Sequence, residues 1–186
     1  MILALVLSCS STPNPESEPV PALEPAEPIE EVGKNCYAAA KETPLPQGLV
    51  SVGSFTQIRA TEDHAYGHGF DLMRNGDTCV GLYSLWEGNI EAHFAVIEDL
   101  SCPDADGKLS FRVGRMWWPG YGDVGPFKSA IRFDGTVNGD AITGTVTQGD
   151  EKTPFEAKGE DVSLEVRWGQ YTQLSAADAC VGDRVR

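Results

Sequence analysis

Phe70-Asp71-Leu72-Met73-Arg74-Asn75-Gly76-Asp77-Thr78-Cys79-Val80-Gly81 is echoed downstream by Phe133-Asp134-Gly135-Thr136-Val137-Asn138-Gly139-Asp140-Ala141-Ile142-Thr143-Gly144, with six identities at identical spacing. Asn-Gly between alternating runs signals a β-hairpin, because both central residues of a type I′ turn need φ > 0. A turn on Asn-Gly sets the register. Arg74 then pairs with Asp77, so that Leu72 lies opposite Cys79, Phe70 opposite Gly81 and His68 opposite Tyr83. Likewise Val137 pairs with Asp140, placing Phe133 opposite Gly144 and Ile131 opposite Val146. Each phenylalanine is thereby expected to cover a glycine gap in the neighbouring strand.

Working outward, a further tight turn at Glu87-Gly88-Asn89-Ile90 brings Leu85, Tyr83 and Gly81 opposite Ala92, Phe94 and Val96 on one face. Leu109, Phe111 and Val113 alternate with polar neighbours, as do Val162, Leu164, Val166 and Trp168. Eight strands are expected, near 49–59, 66–73, 78–86, 90–98, 108–115, 127–137, 140–148 and 162–168. Helical signals are confined to Cys36–Lys41 and Ser175–Cys180, with Ser175 as a cap. The fold class is all-β, an antiparallel eight-stranded up-and-down barrel or a two-sheet sandwich. The architecture, but no motif, is similar to the lipocalin and avidin meander barrels, and likeness of fold alone assigns no ligand. A domain of about 150 residues buries roughly 68–70% of its unfolded surface, so it does not depend on cross-links for a core.

The segment Gly114-Arg115-Met116-Trp117-Trp118-Pro119-Gly120-Tyr121-Gly122-Asp123-Val124-Gly125-Pro126 is too long for a tight turn and sets aromatic rings among glycines and prolines. Trp117, Trp118 and Tyr121 either present a recognition surface at the barrel mouth or fold back as a plug. Tyr66, His68, Tyr83, Phe94, Phe111 and Trp168 fall on the inward face. They line an apolar pocket with a few polar tips, or fill the interior outright, since eight strands leave a barrel just wide enough to be filled by side chains.

Met1-Ile2-Leu3-Ala4-Leu5-Val6-Leu7-Ser8-Cys9 is uncharged and apolar, and Val6-Leu7-Ser8-Cys9 resembles the lipobox of bacterial lipoproteins. The resemblance implies cleavage before Cys9, diacylglycerol on its thiol and, with Ser10 following, an outer-membrane location. Residues 10–33 carry six prolines and six glutamates without a basic or aromatic residue, so they form an extended, self-repelling tether reaching up to roughly 70 Å. The expected organisation is 1–8 signal peptide, 9–33 lipid-anchored linker and 34–186 barrel domain. Cys36, Cys79, Cys102 and Cys180 are then an even set in an exported chain, which predicts two disulfides. Of the three connectivities, Cys36–Cys180 clasping the domain ends with Cys79–Cys102 stapling strand ends is favoured.

The chain has 28 acidic and 14 basic residues, a formal charge of −14, and its domain alone keeps −8. Nucleic acid and anionic surfaces are excluded as partners, for want of a cationic footprint. His64, His68 and His93 do not converge in the expected register, where His93 points outward opposite Ser84. No Cys-x-x-Cys pair, nucleophile elbow, phosphate loop or His-Glu-x-x-His helix occurs, so no metal, cofactor or enzymatic activity is expected. Asp104-Ala105-Asp106-Gly107 looks like part of a calcium loop, but Cys102 and Val113 occupy two ligand places, which favours a plain turn. The functional expectation is a monomeric, non-catalytic envelope lipoprotein whose barrel binds a small apolar or glycan ligand. The alternative is a module that binds envelope proteins or polysaccharide.

Overall fold

A computed structural model describes residues 29–88, 91–118 and 126–184. Its order is α1 (Ile29–Ala39), β1 (Val50–Ala60), β2 (Ala65–Asn75), β3 (Thr78–Glu87), β4 (His93–Val96), β5 (Lys108–Met116), β6 (Phe127–Asn138), β7 (Ala141–Gln148), β8 (Glu151–Glu160) and α2 (Leu164–Arg184). The eight strands form one antiparallel sheet in the order β4-β3-β2-β1-β8-β7-β6-β5. The two ends of that order meet through reciprocal backbone bonds between Phe94 and Trp117 and between Glu98 and Arg112. The result is a nearly closed up-and-down barrel. Its thinnest places are this β4–β5 seam and β1–β8, where only Ser54–Glu160 and Phe55–Gly159 pair.

The hairpins differ from expectation by two residues. Asn75 pairs with Thr78 and Asn138 with Ala141, so each loop is Gly-Asp and not Asn-Gly. Gly76 and Gly139 carry φ of 61° and 64°, while among the described non-glycine residues only Asp99 has positive φ. Glycine first and an ordinary residue second is the type II′ pattern, which suits the strand twist as well as type I′ does. A shift of two preserves which face each side chain takes, so the inward set survives while the partners change. Phe70 opposes Tyr83, His68 opposes Leu85, Leu72 opposes Gly81, Phe133 opposes Val146 and Ile131 opposes Gln148. The aromatic cover holds for Phe133, whose ring lies where a side chain on Gly135 or Gly144 would begin; Gly81 is covered by Leu72 and Ile97 instead of Phe70.

Beyond β3 the expected register slips by one residue, which reverses faces. Tyr83 opposes Ala95, Ser84 opposes Phe94 and Leu85 opposes His93. Ala95 and Ile97 therefore point inward, Phe94 points outward, and His93 is buried and not exposed.

The expected strand at 162–168 is helix. Seven residues of alternation are too few to fix a period, and Leu174, Ala177 and Val181 continue the segment at helical spacing. Ser163, not Ser175, begins it: its Oγ accepts from the Val166 amide and its carbonyl from the Arg167 amide. Trp168 consequently leaves the barrel, donating Nε1–H to the Pro44 carbonyl at 2.9 Å. The eighth strand is β8, joined to β7 by another Gly-Asp loop with Gly149 at φ 59°. Pro154 falls in the stretch of β8 beyond its short pairing with β1, where a missing N–H on that side costs nothing.

Phe55, Phe70, Tyr83, Phe111, Phe133 and Phe155 fill the barrel, with Phe70 at 4.3 Å from Phe155 and 4.8 Å from Phe133 between ring centroids. A second core lies outside, where α1 and α2 pack together and cover Leu82, Phe94, Val96 and Trp117. α1 reaches back into the stretch read as tether, burying Val32 four residues before Cys36. Both favoured disulfides form: Cys36–Cys180 joins the helices, and Cys79–Cys102 fixes the base of β3 to the β4–β5 connection.

Candidate functional site at the barrel mouth

Up-and-down order puts the β1–β2, β3–β4, β5–β6 and β7–β8 connections at one end of the barrel, the mouth. A cavity of about 170 Å³ opens there between β2–β3 and β7–β8. His68, Leu85, Val146 and Thr153 line it below, and Tyr66, Glu87, Gln148 and Glu151 line its rim. Gln148 Nε2 donates to Glu87 Oε1 at 3.4 Å, bridging β7 and β3 across the mouth. The β1–β2 loop is tied down by His64, whose Nδ1 lies 2.7 Å from the Gly88 carbonyl.

The floor is a polar pair. His68 Nδ1 and Tyr83 Oη share a hydrogen bond of 2.6 Å. Burial lowers the His68 pKa against the opposing pull of Glu87 and Glu151, so the ring is neutral at pH 7. Burial, reinforced by Glu87, raises that of Tyr83, which is fully buried and does not line the cavity. The phenol therefore orients the imidazole and does not itself meet a ligand. Among the described residues no lysine or arginine lines the cavity.

The other half of the mouth is closed by Trp118, which stands edge-on to His93 at 4.1 Å, with Phe127 5.1 Å from the same imidazole. Burial lowers the His93 pKa, and its Nδ1 has no hydrogen-bond partner among the described residues. Trp117 points the opposite way, into the helix core. Its Nε1 donates to Asp178 Oδ1 at 2.8 Å, beside Arg115 at 3.3 Å.

Of the residues singled out from sequence, the structure thus brings Tyr66 and His68 to the cavity, sets Tyr83 beneath it, and puts Trp118 across the mouth. Phe94 and Trp117 belong to the outer core and leave the candidate set. Tyr121 and Cys9 lie outside the described residues. Glu87, Gln148 and Glu151 were missed; the Gly149-Asp150 turn was the signal that pairs Gln148 with Glu151 at the rim. Elsewhere, Asp104 Oδ1 accepts from the amides of Asp106 and Lys108, which makes its segment a turn. Among the described residues no group of three or more His, Cys, Asp or Glu side chains is placed to hold a metal ion. No helix among them is long and apolar enough to cross a membrane.

Comparison with protein-family models, with curated proteins and with solved structures finds no match to this chain.

Proposed function

We propose that this protein is a non-catalytic lipoprotein of the bacterial outer membrane, anchored through Cys9, that binds a small ligand at the mouth of its barrel. The observation that carries the reading is the cavity over the His68–Tyr83 pair. Its volume of about 170 Å³ lies below the roughly 300–1,000 Å³ of pockets for drug-sized molecules. With six aromatic rings filling the interior, an extended apolar ligand has no room, and a single sugar unit or a polar molecule of similar size is the better fit. The disulfides and the lipobox resemblance support an exported location. Native mass spectrometry of protein purified from its own membrane tests both halves: the mature mass should include a diacylglyceryl Cys9 and a retained small ligand. An unlipidated chain refutes the anchor, and a ligand-free spectrum together with unmoved Tyr66 and His68 NMR signals across a sugar panel refutes the site.

A second reading has its own observation. The helices contact β3 and β4, leaving Arg112, Arg132, Thr147 and Lys152 as one cross-strand row on the outside of β5–β8. Such a row suits an acidic envelope polysaccharide. Arg112 and Arg132 are already paired with Asp99 and Asp134, which weakens it.

A further inference from the structure

Arg74, Lys108, Arg112, Arg115, Arg132 and Arg167 all face a carboxylate within ion-pair distance. Glu87 and Glu151 are among the carboxylates left over, and they differ from the rest in sharing one cavity. Both line the mouth cavity, neither is in an ion pair among the described residues, and both act on His68, which stays neutral between them. They approach from different walls, Glu87 from the end of β3 and Glu151 from the start of β8. Tyr66, Leu85 and Val146 line the same cavity. Asp150 in the adjoining turn, and Glu62 and Asp63 in the β1–β2 loop, add negative charge at the same end of the barrel and outnumber Arg59, the cross-strand neighbour of Tyr66 on β1.

A concave site walled by one sign of charge concentrates the opposite sign, and does so most where low-dielectric walls focus the field. An anion is repelled there. A bare divalent ion needs more oxygen ligands than two separated carboxylates supply. A diffuse organic cation matches better, because its charge satisfies the carboxylates while its carbon surface contacts a tyrosine face and two aliphatic side chains. We infer that the ligand of the mouth is a small organic ammonium ion, held between Glu87 and Glu151 against Tyr66. The inference rests on the mouth being the binding site.

Choline and 3,3-dimethylbutan-1-ol have the same shape and differ in charge, so they separate recognition of the cation from filling of the cavity. Each is titrated into the full chain with both disulfides intact, following the His68 and Tyr66 ring signals by NMR. Choline should move both signals saturably, bind at least about tenfold tighter than the alcohol, and weaken as ionic strength rises. Equal binding of the two overturns the ammonium inference and leaves the mouth as a site. No response to either, and none to the sugar panel above, removes the site as well. Glu151→Gln, on an exposed rim position, should cost about tenfold in choline affinity with an unchanged near-ultraviolet circular dichroism spectrum. Unchanged affinity in Glu151→Gln and Glu87→Gln alike refutes the assignment of the carboxylates even if choline binds.

Discussion

The barrel interior and the helix-covered seam are both buried, yet they are built differently. Inside, aromatic rings meet rings and the side chains are almost all apolar, so the core needs few polar contacts. The layer between the helices and the barrel wall buries fewer side chains and holds charge. Asp71, on the outside of β2, takes the Ser54 hydroxyl at 2.5 Å and lies 3.0 Å from Arg167 of α2, while Asp178 of α2 receives Trp117 and Arg115. A disulfide crosses the same layer. An element whose burial is too small to fix it against the loss of chain entropy is fixed instead by a covalent bond and by a few oriented polar contacts.

The comparison can be broken at its strongest point first. Phe70→Ala removes the ring that touches Tyr83, Phe111, Phe133 and Phe155, and should cost about 3–5 kcal/mol. In thermal denaturation this is a fall of roughly 6–20 °C for a domain of this size. Opening the seam with Cys36→Ser and Cys180→Ser should cost about 2–4 kcal/mol. The loss should be local: hydrogen exchange should rise in α1 and α2 while the centres of β2, β3 and β6 keep their protection. Uniform loss across the barrel would show that the two regions are one cooperative unit.

Asp178→Ala should cost about 1–3 kcal/mol, because it strands the Trp117 indole N–H and Arg115. Acid should also separate the regions by sign. Burial raises the pKa values of Asp71 and Asp178 in spite of their partners, so the folded state holds those protons more tightly and gains stability as pH falls toward the unfolded carboxylate range near 4. His68 and His93 are lowered by burial; their contribution is complete above about 6.5 and is lost as pH falls through their folded values. Between pH 7.5 and 5, His68→Gln should therefore flatten the loss of thermal midpoint on acidification, and Asp178→Asn should steepen the loss as the pH falls on toward 4. The reverse ordering would contradict these assignments.

The smallest effect sharpens the turn chemistry. Gly139→Ala forces a side chain into positive φ where no neighbour crowds it, a cost of about 1–2 kcal/mol. Asp140→Ala should stay within about 0.5 kcal/mol, because a type II′ turn leaves that position at ordinary φ. Equal penalties in urea denaturation would restore the type I′ turn.

Sequence carried the antiparallel meander with seven of its eight strands, the inward placement of Tyr83 and Phe111 and the cysteine pairing, and it put Tyr66 and His68 on the face that lines the mouth cavity. These survive because strand alternation has a period of two, and a slip of two residues leaves every face unchanged. Three features depended on contacts remote in the chain. Val162 to Trp168 alternates like a strand but enters a helix, because Leu174, Ala177 and Val181 recruit it against Leu82 and Cys36. Phe94 and Trp117 cross to the outer core, because a helix waits there to cover them. Glu87, Gln148 and Glu151 meet only when the barrel curls β3 round to face β7 and β8. Local sequence sets which way a side chain leaves its own strand. What waits on that side is set by closure of the sheet and docking of the helices, which join residues that no short window contains.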